Sequence, residues 1–123
     1  MTDNAGPQHV PPFLHDISRW VLKYRKPVIC NDLKKWMREF KKKGVRKVRH
    51  TMINPYRVST VFLALAHGTN KHGDPLLFET AIFNDKNDCE IIGRCACWRE
   101  VLCLHQRAVK ELRILIKEGL IND

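Results

Sequence analysis

Arg57-Val58-Ser59-Thr60-Val61-Phe62-Leu63-Ala64-Leu65 and Leu76-Leu77-Phe78-Glu79-Thr80-Ala81-Ile82-Phe83 are the stretches that decide the fold. Both are rich in β-branched and aromatic residues, and both end in turn signals, as strands do. Ala66–Pro75, between them, is polar and holds two glycines and a proline, so it reads as a long hairpin loop. The first run is apolar on both faces, with Val61, Leu63 and Leu65 on one and Val58, Phe62 and Ala64 on the other. That marks a central strand with material on both sides.

Working outward toward the N-terminus, Val45–Ile53 alternates loosely. Val48, His50 and Met52 share one face and Lys47, Arg49 and Thr51 the other, as in a half-exposed strand. Asn54-Pro55-Tyr56 turns it into the central strand. Ahead of it lies a helix. Asn31 can cap it, Asp32 suits its first turn, and Leu33, Trp36, Met37 and Phe40 form its i, i+3, i+4, i+7 stripe. Lys41-Lys42-Lys43 complement the negative end of its dipole, and Gly44 suits the left-handed position after it. Phe13, Leu14, Ile17, Trp20, Val21 and Tyr24 predict an earlier helix that starts at Pro11-Pro12 and stops at Lys26-Pro27. Residues 1–11 read as a flexible arm.

Toward the C-terminus, Asn84–Gly93 is a polar connection with room for a short strand at Cys89–Ile92. The last helix runs from about Trp98 to Lys117 on the stripe Val101, Leu104, Ala108, Leu112 and Leu115, and Gly119 stops it. The expected architecture is α+β. Two N-terminal helices precede a three-stranded antiparallel meander, and a C-terminal helix packs on the sheet, all in one domain over residues 12–123. An all-apolar central strand needs cover on both faces, so a homodimer is expected if the helices cover only one.

A chain of 123 residues can bury a core without disulfides or metal. No apolar run is long enough to span a membrane, and the N-terminus lacks a basic-then-apolar leader. A cytoplasmic protein with reduced cysteines and no membrane partner is expected. The formal net charge is +9, and it is uneven. Residues 1–53 carry 13 Lys and Arg against 4 Asp and Glu, whereas residues 54–123 carry 9 of each.

Three constellations bear on chemistry. Cys89, Cys95, Cys97, Cys103 and His105 have metal-ligating atoms, but their spacing matches no standard zinc site, and Cys103 and His105 diverge by about 200° on a helix. They read as buried thiols, with no metal and no cofactor expected. His67, Glu79 and His105 form a possible ligand site for acid–base chemistry if the fold brings them together. No nucleophile–base motif or phosphate loop accompanies them, and Glu79 reads as a paired sheet charge and His105 as a satisfied core-edge histidine, so no enzyme is expected. The third is the basic run of Lys34, Lys35, Arg38, Lys41, Lys42, Lys43, Arg46, Lys47 and Arg49, with Glu39 the one acid among them. Lys34, Arg38 and Lys41 lie together opposite the apolar stripe, so the outward face is positive. Phosphate backbones bind such faces by counterion release. An acidic protein surface satisfies them too.

The segments from Pro27-Val28 to Trp36, then Arg57–Leu63, Leu77-Phe78-Glu79-Thr80, Arg94, Trp98, Glu100 and His105 resemble a family of small bacteriophage and prophage proteins. The family pattern reads VSTVFLGLDH, then LFETMVFG, then RYSTWEEA and GH. This resemblance covers roughly residues 27–113. It implies a phage or prophage origin and no particular chemistry. The chain departs from the pattern at Ala66, where the family has Asp, at Ala81 for Met, at Cys97 for the helix-capping Thr, and at Leu104 for Gly. The expected function is a non-enzymatic phage accessory protein whose basic N-terminal half binds nucleic acid. The alternatives are a host-directed protein that blocks a bacterial enzyme or defence factor, and capture of a small nucleotide through His67 and the long loop.

Overall fold

The computed structural model describes residues 19–42 and 44–121. Its elements run β1 (Trp20–Lys23), β2 (Lys26–Ile29), α1 (Leu33–Lys41), β3 (Lys47–Ile53), β4 (Tyr56–Phe62), β5 (Phe78–Phe83), β6 (Cys89–Cys95) and α2 (Trp98–Lys117). β3-β4-β5-β6 form an antiparallel sheet in sequence order, and β1 and β2 form a separate hairpin. The protein is α+β, with α2 packed on the sheet.

The two central apolar stretches are interior strands, paired from Arg57↔Phe83 to Phe62↔Phe78. The meander has four strands rather than three, because the expected short strand at Cys89 continues to Cys95 and pairs along β5. One face of the sheet carries Val58, Thr60, Phe62, Phe78, Thr80 and Ile82 toward α2. Val58 and Ile82 meet Ala108, Val109 and Leu112, while Phe62 and Phe78 meet Val101. The buried stripe of α2 is Val101, His105, Ala108, Val109 and Leu112. It is rotated slightly from the expected one, so Leu115 is exposed and Leu104 lies against Gly93. The helix ends as expected at Gly119 (φ +70°), with Gly119 N–H bonded to Ile116 O and Leu120 N–H to Leu115 O.

The largest correction falls on Trp20–Tyr24. These residues form a strand and a turn, not a helix; residues 13–18 and the expected arm lie outside the described residues. Trp20 pairs with Ile29 and Lys23 with Lys26, leaving Tyr24 and Arg25 as a two-residue turn with φ of +52° and +69°. Such turns match strand twist but require positive φ at both central residues, which is why Asn-Gly is their usual signature. Here Tyr-Arg hides the turn, and Ile17, Trp20, Val21 and Tyr24 happen to sit at helical spacing. Pro27 is tolerated because β2 is an edge strand. The hairpin closes the upper end of the core: Trp20 is fully buried with Phe62, Ala64 and Leu77, its backbone N–H bonds Ala64 O at 2.9 Å, and Arg25 stacks on Trp98 of α2.

α1 is docked less deeply than its stripe predicts. Trp36 and Phe40 pack against the core, whereas Leu33 and Met37 are 48% and 41% exposed. Its cap is Asp32, not Asn31: the carboxylate accepts from Lys35 N–H at 3.1 Å. The second sheet face carries Arg57, Ser59 and Val61 from β4, and neither helix lies on it among the described residues. Leu63 and Leu65, counted above as apolar cover for that face, fall beyond the end of β4. The second face of β4 is therefore not apolar along its whole length, since Arg57 and Ser59 stand on it beside Val61.

Candidate nucleic-acid interface

The nine-residue helix α1 presents Lys34, Arg38, Lys41 and Lys42 to solvent. Only Lys42 of these has a described ionic partner, Glu39 one turn back. After the helix the chain reverses tightly. Val45 N–H bonds Lys42 O at 3.4 Å, Lys47 N–H bonds Gly44 O at 3.2 Å, and Gly44 sits at φ +81°, where a side chain would be strained. The reversal returns Arg46 beneath the end of the helix. Its guanidinium lies 3.9 Å from the Phe40 ring centroid, and its carbonyl accepts from Phe62 N–H at 2.7 Å. Arg46 is thus fixed at both its backbone and its charged end.

β3 then contains a bulge. Lys47 pairs with Val61, yet Arg49 already pairs with Thr60. The extra residue places Lys47 and His50 on the same face, the one turned away from α2, and turns Val48 and Arg49 to the α2 side. Simple alternation had put Val48 with His50 and Lys47 with Arg49, and the bulge overturns both pairings. As a result Lys41, Lys42, Arg46, Lys47 and His50 line one groove of about 410 Å³, floored by Phe40 and Val61. No carboxylate lines it among the described residues. His50 Nε2 lies 2.9 Å from Ser59 Oγ. Burial, then the neighbouring charges of Lys47 and Arg57, hold its pKa below the ordinary histidine value.

The other basic residues spread out. Lys35 faces a separate groove on the hairpin side, beside Asp32 and Glu39. Arg49 lies on the α2 side, close enough to depress the pKa of His105. Lys43 is outside the described residues. His50, Phe40 and Val61 were not singled out from the sequence as site residues; the bulge that recruits His50 has no sequence signature of its own.

His67, Glu79 and His105 are not brought together. His67 is exposed in the loop after β4. Glu79 accepts from Arg94 Nε at 2.9 Å across β5 and β6, on the face turned away from α2. His105 is buried on the opposite face, where Thr51 Oγ1 lies 2.9 Å from Nε2 and Thr60 Oγ1 2.7 Å from Nδ1. Thr60 Oγ1 in turn lies 2.6 Å from Thr80 Oγ1. All five cysteines are free. Burial pushes the Cys95 thiol up to about 11, which removes it from thiolate chemistry at neutral pH. Cys97 begins α2 without capping a backbone N–H, and its thiol contacts the Glu100 carboxylate instead. No group of three metal-ligating side chains occurs among the described residues, and none of their helices is long and apolar enough to cross a membrane. Compared with protein-family models, curated proteins and solved structures, the chain gives no match.

Proposed function

We propose that this is a non-enzymatic nucleic-acid-binding accessory protein, phage-encoded and acting in the cytoplasm of a bacterial host. One observation carries the reading. The solvent face of α1 (Lys34, Arg38, Lys41) runs into a groove lined by Lys42, Arg46 and Lys47, and Glu39 is the sole described acid beside this surface that holds one of its cations. A contiguous positive surface of this kind neutralises phosphates without reading base sequence. The phage part of the proposal is supported by the family resemblance of the two central strands.

A host-directed protein partner is the second reading, and a specific feature favours it. Met52 is 60% exposed on the face turned away from α2, two residues along β3 from His50, and Leu33 and Met37 are exposed on α1. Apolar groups beside cations suit an acidic protein surface better than a phosphate backbone. Pull-downs from bacterial lysate, with and without nuclease, separate the two. Capture lost on nuclease treatment supports nucleic acid; a nuclease-resistant, stoichiometric acidic partner supports the host protein and contradicts the first reading.

A further inference from the structure

The groove has a chemistry of its own, distinct from the helix face that leads into it. A strand's backbone offers one negative charge per phosphate, strung out along its length, and a row of separated lysines suits it. The groove instead converges several cations on one concavity. Its volume, about 410 Å³, falls within the range of small-molecule sites. Arg46 is already oriented: its guanidinium stacks on Phe40, while its backbone is tied to β4. A stacked guanidinium keeps its in-plane N–H fork for a bidentate anion. Lys41, from α1, and Lys47, from β3, line the same groove.

We propose that this groove is a phosphomonoester site that takes the dianionic terminal phosphate of a nucleotide, with Arg46 as the bidentate ligand and Lys41 and Lys47 as flanking charges. The phosphate is either the 5′ end of a strand or a free nucleotide. The strand-borne form deepens the nucleic-acid reading and rests on it. A phosphomonoester brings close to two negative charges to one point, where an internal phosphodiester brings one. The groove therefore selects ends over interior positions, while Lys34 and Arg38 outside it hold the strand without such a preference.

The test uses the full chain and a labelled single-stranded oligonucleotide, with a 5′-phosphate or a 5′-hydroxyl, at physiological salt. The 5′-phosphorylated strand is expected to bind about tenfold or more tightly. That preference is lost in the double variant Lys41→Gln/Lys47→Gln and kept in Lys34→Gln, whose side chain lies outside the groove. Arg46→Lys keeps the charge but removes the fork, and loses most of the preference. Lys41 and Lys47 are exposed, and matching melting curves establish that the double variant is folded. If the two strands bind alike but adenosine monophosphate or pyrophosphate binds the native protein and not the double variant, the source is a free nucleotide and the site stands. Equal binding of both strands, with neither small ligand bound, overturns the phosphomonoester site and leaves the nucleic-acid reading intact. No binding of any strand overturns that reading separately, and the small ligands then decide the groove alone.

Discussion

His105 shows how one side chain can be read two ways from sequence and one way from structure. On α2 it stands among Val101, Ala108 and Leu112, and it is 1% exposed. Both ring nitrogens meet threonine hydroxyls, from β3 and from β4, so the histidine fastens the helix to two strands. Its satisfied core role was legible, since a histidine flanking an apolar stripe is usually buried with partners. The partners were not legible, because Thr51, Thr60 and Thr80 converge only through strand register. His105→Ala is expected to cost about 2–4 kcal/mol, from lost packing and stranded threonine hydroxyls, measured by urea unfolding. Burial, with the charges of Arg49 and His50, lowers its pKa from 6.5. The native state therefore binds fewer protons than the unfolded chain below that value. Its stabilising effect is present above the unfolded pKa and is lost as the pH falls. Unfolding free energy should drop between about pH 7.5 and about pH 5.5, and His105's share of the slope is at most about 1.4 kcal/mol per pH unit. His50, shifted in the same direction, adds to the fall. A stability profile that is flat or rises with acid over that range contradicts a neutral, buried His105.

At the scale of elements, what was legible followed periodicity, and what was missed followed backbone geometry. The central strands and α2 carry long apolar patterns, and both lie close to their expected bounds. The β1–β2 hairpin was missed because its turn uses Tyr24 and Arg25 at positive φ in place of Asn-Gly. Tyr24 is 88% exposed and packs little, so Tyr24→Asn should relieve left-handed strain and raise stability by about 0.5–1 kcal/mol. A loss of stability in that variant would mean that the turn is not as described. The hairpin also moves the weight of the core. Trp20 is fully buried and Trp36 only partly, so Trp20→Ala should cost about 3–5 kcal/mol and Trp36→Ala distinctly less. Thermal melts of the two variants side by side check the order; the reverse order would restore α1 as the anchor and demote the hairpin.

For the whole molecule, the charge asymmetry was the most informative feature of the sequence, and the structure gives it a shape. The described part of the N-terminal half, residues 19–42 and 44–53, folds as a hairpin, α1 and β3 at one end of the sheet, and gathers part of the excess of cations on one exposed helix face and in one groove. Which of the nine basics act together could not be read from the run itself. A tight reversal at Gly44 and a bulge after Lys47 gather Lys41, Lys42, Arg46 and Lys47, while Lys35 and Arg49 face elsewhere. The central claim is that this surface binds a phosphate backbone, and the most direct test is the salt dependence of binding to a labelled DNA duplex. With five or six contacts drawn from Lys34, Arg38, Lys41, Lys42, Arg46 and Lys47, the slope of log K against log salt should be roughly −4.5 to −5.5. Converting Lys41 and Lys47 to Gln should reduce it by about 2 without altering the melting temperature. Binding that is absent even at low salt, or that shows no dependence on salt, would contradict the account.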